Sequence, residues 1–348
     1  MRYDSTMYMR KNVPLALHST MRLGGKALYL AEITKKEQIP EALAWASKEK
    51  LPVIMIGEGS NIVWGDKGFK GLVLVSKIAG FKVQEIDEDT VYITVGAGEN
   101  WDKVVARTTL RGLHGIEALS LIPGTAGATP VQNVGAYGQD VSQTLVSIEA
   151  YDARAEKFVT IPAESCKFGS RTSRFKKTDR GRFFITSLTF CLARTNPKPP
   201  YYGAVQTYLD EHKIKKITPQ ILREAVVAIR TAKLPDPKKI ANNGSFFANP
   251  IVSESRFSKV FAQYPDVMNW PLKDGTYKLS AAWLIETAGY KNFHDLRTGM
   301  ATWPTQPLVL VNEKAQYTAD LLVFRDRIIT DVYYKFGVRL QQEPELIA

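Results

Sequence analysis

Two cysteines and four histidines in 348 residues leave little from which to build a disulfide framework or a metal centre. Cys166 and Cys191 form no CxxC pair, so both are expected as reduced thiols. His18, His114, His212 and His294 include no i, i+4 pair, the spacing that sets two imidazoles on one helix face, and no metal is expected. Long hydrophobic runs are also missing. The longest stretch without Asp, Glu, Lys, Arg or His, Ala118 to Gln139, contains Pro123, Pro130 and four glycines from Gly124 to Gly138. It reads as a structured loop, not a membrane span. Met1 to Leu30 lacks an apolar core followed by a small-residue cleavage site, so the expected address is the cytoplasm. Neither GxGxxG nor GxxxxGK[ST] occurs: after Gly57 and Gly59 the third fingerprint glycine would fall on Ile62, so a Rossmann site and a P-loop are not supported.

What is present is an ordinary folded composition, 45% hydrophobic, 23% charged and 10% aromatic, long enough for about two domains. Lys plus Arg number 46 against 35 Asp plus Glu, a formal charge of +11. A basic surface attracts nucleic acid and a phosphorylated small substrate alike. The densest run, Lys167 to Arg182, holds seven basic residues and one acid, Asp179, and reads by itself as a solvated face. No RNA-binding signature, zinc finger or basic zipper accompanies it.

To about Arg194 the apolar segments are short and strand-like: Leu51–Ile56, Leu72–Val75, Val91–Val95, Val146–Tyr151 and Phe183–Leu192. Amphipathic helices are predicted over Pro40–Lys48 and Trp101–Leu113. The segment Arg194–Tyr202, with Pro197, Pro199 and Pro200, marks a boundary or an excursion. Beyond it Thr218 can cap a helix with Pro219 in its first turn, and Ile221, Leu222, Ala225, Val226 and Ile229 recur on one face. Ser280–Gly289 reads as a short helix, Leu308–Val311 as a buried strand and Ala319–Phe336 as a long terminal helix.

Two glycine-rich segments carry the functional signal. Met55-Ile-Gly-Glu-Gly-Ser-Asn-Ile62 follows a strand, and by itself fits a tight turn as well as an anion cradle. Ile122 to Gly138 offers backbone amides, two rigidifying prolines and the neutral side chains of Thr125, Gln132, Asn133 and Tyr137. That lining suits a large planar cofactor with a pyrophosphate tail.

Both segments resemble the flavin-binding elements of the UDP-N-acetylenolpyruvoylglucosamine reductase (MurB) family of bacterial cell-wall synthesis. The resemblance continues through Thr20-Met-Arg-Leu-Gly-Gly25, Cys166 to Lys176, Lys233-Leu-Pro-Asp-Pro237, Gly244-Ser-Phe-Phe-Ala-Asn-Pro250 and Phe336 to Pro344. The proline-rich stretch before Tyr202-Gly203 is similar to the type I branch, whose extra tyrosine loop folds over bound substrate. The chain departs from the family pattern at Ser170, Ala248, Gln341-Gln342, Glu345 and Ala128.

The resemblance implies an α+β fold: an FAD-binding domain of the vanillyl-alcohol-oxidase (PCMH) type over residues 1–213, split near 80, then a smaller α+β substrate-binding domain at 214–335. Residues 336–348 would form a tail returning to the active site. It implies FAD held by Arg22, by Gly57, Glu58, Gly59, Ser60 and Asn61, and in the long loop by Ile122, Pro123, Gly124, Thr125, Gly127, Gln132, Asn133, Gly135, Ala136 and Tyr137. NADPH would be the reductant and UDP-N-acetylglucosamine enolpyruvate the substrate, contacted by Tyr202, Lys233, Asn249 and Gln306. A monomer without nucleic-acid partner or membrane insertion is expected.

The resemblance places catalysis on Arg171, Ser245 and Glu343. Hydride addition to the enolpyruvyl β-carbon leaves charge at the α-carbon, delocalised into its carboxylate. A planar guanidinium can grip that carboxylate, a serine can protonate so basic a centre, and Glu343 would hydrogen-bond the same enolate. Two rival readings stand beside this one: a flavin oxidase of the same fold acting on another substrate, and a basic nucleic-acid-binding protein without catalysis.

Overall fold

The computed structural model describes residues 7–348. The first six residues, part of the segment read above for export, lie outside the described residues. The chain folds as two compact units. The first comprises the chain up to Val13, Ala27–Glu58 and Lys70–Ala232; the second comprises Pro14–Lys26, Gly59–Phe69 and Lys233–Ala348. Seven α-helices are used below: α1 Gln38–Lys48, α2 Trp101–Thr109, α3 Gly203–Glu211, α4 Pro219–Lys233, α5 Glu254–Gln263, α6 Ala281–Ile285 and α7 Thr318–Phe336. The compact units divide at the end of α4, where Leu222, Ala225 and Val226 bury with Val205 and Leu209 of α3 and with Ala118, all of the first unit.

In the first unit a four-stranded sheet runs in the order Met9–Pro14, Lys26–Ile33, Phe69–Ser76, Val53–Ile56. Val53–Ile56 pairs parallel to Phe69–Ser76, a connection that needs a crossover on one face. Its core joins Ala31, Ile33, Leu72 and Leu74 to Ile39, Ala42 and Ala46 of α1, spaced at three and four residues along one helix face. A five-stranded antiparallel sheet follows, in the order Lys157–Pro162, Leu145–Asp152, Phe183–Ala193, Thr90–Gly96, Phe81–Glu85. Val91, Ile93 and Val95 alternate inward and meet Leu188 and Phe190 of the neighbouring strand; this period of two is what made both strands legible. α2 starts where the Asn100 side chain accepts from Lys103 N, and its Trp101 is fully buried, donating Nε1–H to Leu119 O at 3.0 Å.

Two arginines of the basic run are engaged within this unit. Arg174 pairs with Asp179 at 2.7 Å and Arg182 with Asp152 at 2.6 Å. The Arg182 guanidinium holds the Asp152 carboxyl down at about 2. Burial pushes the Cys166 thiol up to about 11, as befits an inert reduced cysteine.

The second unit is built on a sheet ordered Ala241–Ser245, Gln306–Asn312, Met300–Trp303, His294–Asp295. α7 packs Leu321, Phe324, Ile328, Val332 and Phe336 into the unit's main core with Leu284, Ile285 and Leu310. It ends at Gly337, whose φ of +63° suits the left-handed cap. The expected helix over Ser280–Gly289 is shorter: α6 stops at Ile285 and a wide turn, Glu286–Tyr290, follows through Gly289. No helix among the described residues is long and apolar enough to cross a membrane.

The start of α7 is capped from far away in sequence. Asp66 accepts from Thr318 N at 2.6 Å and Ala319 N at 2.9 Å, and Thr318 Oγ1 donates to Trp64 O at 2.6 Å. A carboxylate there satisfies amides that the helix leaves unpaired and opposes its dipole. Asp66→Ala is therefore expected to lower stability by about 1–2 kcal/mol, seen as a drop in the urea midpoint; an unchanged midpoint contradicts this role.

Candidate active site

The two glycine-rich segments meet in the first unit. A Cβ on Gly57 would lie 2.3 Å from Thr125 Oγ1, so only glycine lets the turn approach the long loop this closely. Thr125 Oγ1 is itself buried and makes no hydrogen bond among the described residues, an orphaned polar atom of the kind a ligand satisfies. Glu58 accepts from Asn100 Nδ2 at 3.1 Å, tying the turn to the cap of α2. Gly59, Ser60 and Asn61 continue into the second unit, where a Cβ on Gly59 would fall 2.0 Å from His18 O and its φ is +70°.

The long loop differs from the open row of amides that its composition predicts. Ala126, Gly127, Ala128, Thr129, Val131, Asn133 and Val134 donate their N–H groups to backbone carbonyls, in a short 3₁₀ turn and its neighbours. Buried backbone must be paired, so a tightly folded loop spends much of its donor capacity internally. Ala128 sits in that turn without the positive φ a glycine would permit.

At its end the loop makes a hairpin: Gly135–Ala136 pairs with Gln139–Asp140, joined by Tyr137 and Gly138 at φ +49° and +85°. Two consecutive positive φ values define the primed turn suited to two-residue hairpins, where Tyr is an unfavoured first residue. Four residues implicated by sequence, Arg22, Asn133, Tyr137 and Arg171, adopt positive φ without being glycine. Such backbone is held only where its surroundings over-determine it.

Arg171 lies at the tip of the turn Gly169–Thr172, whose ends exchange backbone hydrogen bonds of 3.0 and 3.3 Å. Asn133 Nδ2 reaches Gly169 O at 3.4 Å, and Ser173 Oγ donates to Val131 O at 2.6 Å. The arginine turn is thus fastened to the long loop, and Arg171 Nη1 lies 3.4 Å from where a Cβ on Gly135 would stand. Arg230 of α4 joins this group. Its charge acts on Tyr137, and its Nε is buried without a hydrogen bond among the described residues. Burial lowers its pKa, Tyr137 and Asp102 oppose that, and the like charge of Arg171 adds to it. Burial raises the Tyr137 pKa in turn. Arg223, on the same helix, grips Asp102 bidentately at 2.6 and 3.0 Å. Tyr202, half exposed, presents its ring edge-on to Tyr137 at 5.5 Å.

In the second unit Ser245 and Glu343 come together through backbone pairing. Phe247–Ala248 pairs antiparallel with Gln341–Gln342, and Glu343 N donates to Phe246 O at 2.9 Å. Ser245 follows Gly244, at φ +67°, where the register against Gln306–Asn312 shifts between Asn242 and Ser245. Such an irregularity turns a side chain out of the ladder, and Ser245 is exposed. Asn243, buried, anchors this bend: its Nδ2 lies 3.1 Å from Ser60 O, 3.2 Å from Thr20 Oγ1 and 3.3 Å from Ile62 O.

The remaining sequence candidates are dispersed within their units. Arg22 donates Nη2–H to Pro237 O and Lys238 O at 3.0 and 2.7 Å. Lys233 is exposed at the end of α4, with Thr305 Oγ1 donating to its carbonyl at 2.7 Å. Asn249 Oδ1 accepts from Ala281 N at 3.0 Å, a structural bond at the start of α6. Gln306 opens its strand. Arg230 and Asn243 were not singled out by sequence; a basic residue in the last turn of an amphipathic helix and an Asn pair before Gly-Ser were the signals available.

Residues 27–160 match the family model of an FAD binding domain, and residues 236–347 that of the UDP-N-acetylenolpyruvoylglucosamine reductase C-terminal domain. The chain is 40% identical to UDP-N-acetylenolpyruvoylglucosamine reductase of Ralstonia nicotianae over 337 residues, 96% of this chain and 98% of that relative. It is 40% identical to the reductase of the same name from Burkholderia cenocepacia over 346 residues, 98% and 97% of the two chains. Among solved structures, UDP-N-acetylenolpyruvylglucosamine reductase (MurB) from Thermus caldophilus superposes with a TM-score of 0.67 at 19% identity, covering 98% of this chain and all of that one, a likeness of fold. The fold is the α+β, FAD-binding PCMH type expected from sequence. With family models over both parts and full-length relatives at this identity, the chain belongs to the UDP-N-acetylenolpyruvoylglucosamine reductase family and is an FAD-dependent oxidoreductase.

Proposed function

We propose that the protein reduces UDP-N-acetylglucosamine enolpyruvate to UDP-N-acetylmuramate with NADPH, in the cytoplasm and as a monomer, for peptidoglycan synthesis. The observation that carries this reading furthest is the pairing of the C-terminal tail with the Phe247 strand, which brings Glu343 beside the Gly244-Ser245 bend. A flavin oxidase acting on another substrate has no need of a glutamate backbone held at a Gly-Ser bend.

The residues fit FAD at the Gly57–Thr125 approach, with its orphaned hydroxyl, and along the Ile122–Tyr137 loop. Bound there and reduced by NADPH, FAD would supply the hydride for the β-carbon of the enolpyruvyl group. Arg171 grips the substrate carboxylate as negative charge develops there, a role worth several kcal/mol for a fixed donor in a water-poor site. Ser245 gives its proton to the α-carbon, and Glu343 hydrogen-bonds the enolate. Lys233 suits the diphosphate as a point charge, with Tyr202, Asn249 and Gln306 around the UDP-sugar. Arg230, coupled to Arg171 and Tyr137, adds fixed positive potential around Arg171.

The purified protein is expected to be yellow, to bleach with NADPH under anaerobic conditions, and to regain colour on addition of the enolpyruvyl UDP-sugar. Rapid reoxidation by oxygen with no response to the UDP-sugar would favour the oxidase. A colourless protein binding DNA with a steep salt dependence would overturn both flavin readings.

A further inference from the structure

The Tyr137 hairpin is backed by a buried charge that the chemistry above does not use. Glu117 is completely excluded from solvent. Its Oε1 accepts from Gln139 Nε2 at 2.9 Å and faces His114 Nδ1 at 2.7 Å, and its Oε2 accepts from Gly115 N at 2.6 Å. Gln139 closes the circuit by accepting from Ala118 N at 2.8 Å. His114 is fixed in turn by two backbone hydrogen bonds to Ala193, of 2.7 and 3.0 Å. The network lines a cavity of about 140 Å³, where the other titratable groups are Lys198, Tyr137, Tyr201 and Tyr202.

Burying an ion pair rarely adds stability over an apolar core of the same shape; what it can add is a specified geometry. Here the geometry specified is that of Gln139, the residue directly after the strained Tyr137-Gly138 turn. We propose that Glu117 is a positioning residue for Tyr137: acting through Gln139, and with His114 as its counter-ion, it clamps the hairpin in its strained turn. The consequence for catalysis rests on the flavin-site reading of Tyr137; the clamp itself does not.

The clamp is pH-dependent. Hydrogen bonding to Glu117 raises the His114 pKa above its ordinary 6.5, against burial. Burial works to raise the Glu117 pKa, but His114 and Gly115 N–H outweigh it and hold the carboxyl below its ordinary 4.5. The His114 contribution is thus complete below pH 6.5 and declines as pH rises through its raised folded value; that of Glu117 is complete above 4.5 and declines as pH falls through its lowered one.

The test is amide hydrogen exchange of the full chain carrying its flavin, across pH 6 to 9 and corrected for intrinsic exchange rates. Wild-type protection of residues 135–140 is expected to fall as His114 deprotonates. His114→Gln and Glu117→Gln should remove that pH dependence, and Gln139→Leu should expose the same amides by about tenfold or more at pH 6.5, leaving the five-stranded sheet protected. If Gln139→Leu leaves the hairpin protected, or loosens the whole unit equally, the clamp is refuted. If exchange responds as expected while the flavin spectrum and the KM and kcat for the UDP-sugar stay at wild type, the clamp stands and the assignment of Tyr137 to the flavin site fails.

Discussion

Ser245→Ala is expected to yield a protein that still carries FAD and still bleaches with NADPH, but whose turnover of the enolpyruvyl UDP-sugar falls by about 100- to 10,000-fold, the range a positioned proton donor supplies. The structure makes the variant a clean one. Ser245 is exposed, and the bend beneath it is held by Gly244 N donating to Asn242 Oδ1 at 2.8 Å and by the Asn243 side chain, neither of which needs the hydroxyl. Loss of the proton donor should therefore appear in the oxidative half-reaction alone. Separate stopped-flow measurements of flavin bleaching by NADPH and reoxidation by the UDP-sugar decide it. Unimpaired reoxidation would remove Ser245 from the proton-donor role, and loss of flavin would show that the bend had collapsed.

Deleting Gln341–Ala348 should have a larger effect of another kind. This tail ties two other stretches of the second unit together. It pairs with Phe247–Ala248, runs parallel to Ile62–Trp64 through Glu345–Ile347, and exchanges bonds of 2.9 Å from Glu345 N to Asn61 O and 2.7 Å from Gly65 N to Ile347 O. Burial of Ile347 contributes about 1.5–3 kcal/mol, and each tertiary backbone bond about 0.5–1.5 kcal/mol net. With three such bonds, counting Glu343 N to Phe246 O, the loss approaches the whole stability of a typical domain. The truncated chain is expected to purify without flavin or not to fold. Glu343→Gln keeps the backbone ladder, so it should retain flavin and the wild-type urea midpoint while turnover drops by about 100- to 1,000-fold. A truncated chain that stays yellow with an unshifted midpoint would refute the structural role of the tail, and full turnover in Glu343→Gln would refute the chemical one.

Legibility from sequence followed the range of the interactions. Thr90–Gly96 and Phe183–Ala193 were readable because the alternation of burial is local. α4 was readable because Thr218, Pro219 and an apolar stripe all lie within one segment, and Ile221 N does donate to Thr218 Oγ1, at 3.2 Å. α3 was missed because the proline-rich segment before it masks a weak pattern in which only Val205 and Leu209 are buried. The short strands of the second unit, two or three residues long, carry no periodicity to detect. Asn243 shows the general limit: its partner Ser60 lies 183 residues away, and nothing in either local sequence announces the other.

By itself the sequence determined the family-wide order of motifs, the absence of CxxC and P-loop chemistry, and the glycines at 57 and 59, because these depend on residue identity and near neighbours. It also supplied the +11 charge, without showing that Arg174 and Arg182 are held by Asp179 and Asp152. Only the tertiary structure decided that the segments at 14–26 and 59–69 belong with the C-terminal part. It likewise decided that the tail brings Glu343 beside the serine bend, and that Glu117, an unremarked acid in sequence, is the buried anchor of the Tyr137 hairpin. The physical reason is the same in each case: a backbone ladder or a buried carboxylate is stable only with its partner in place, and chain distance says nothing of which partner folding will bring.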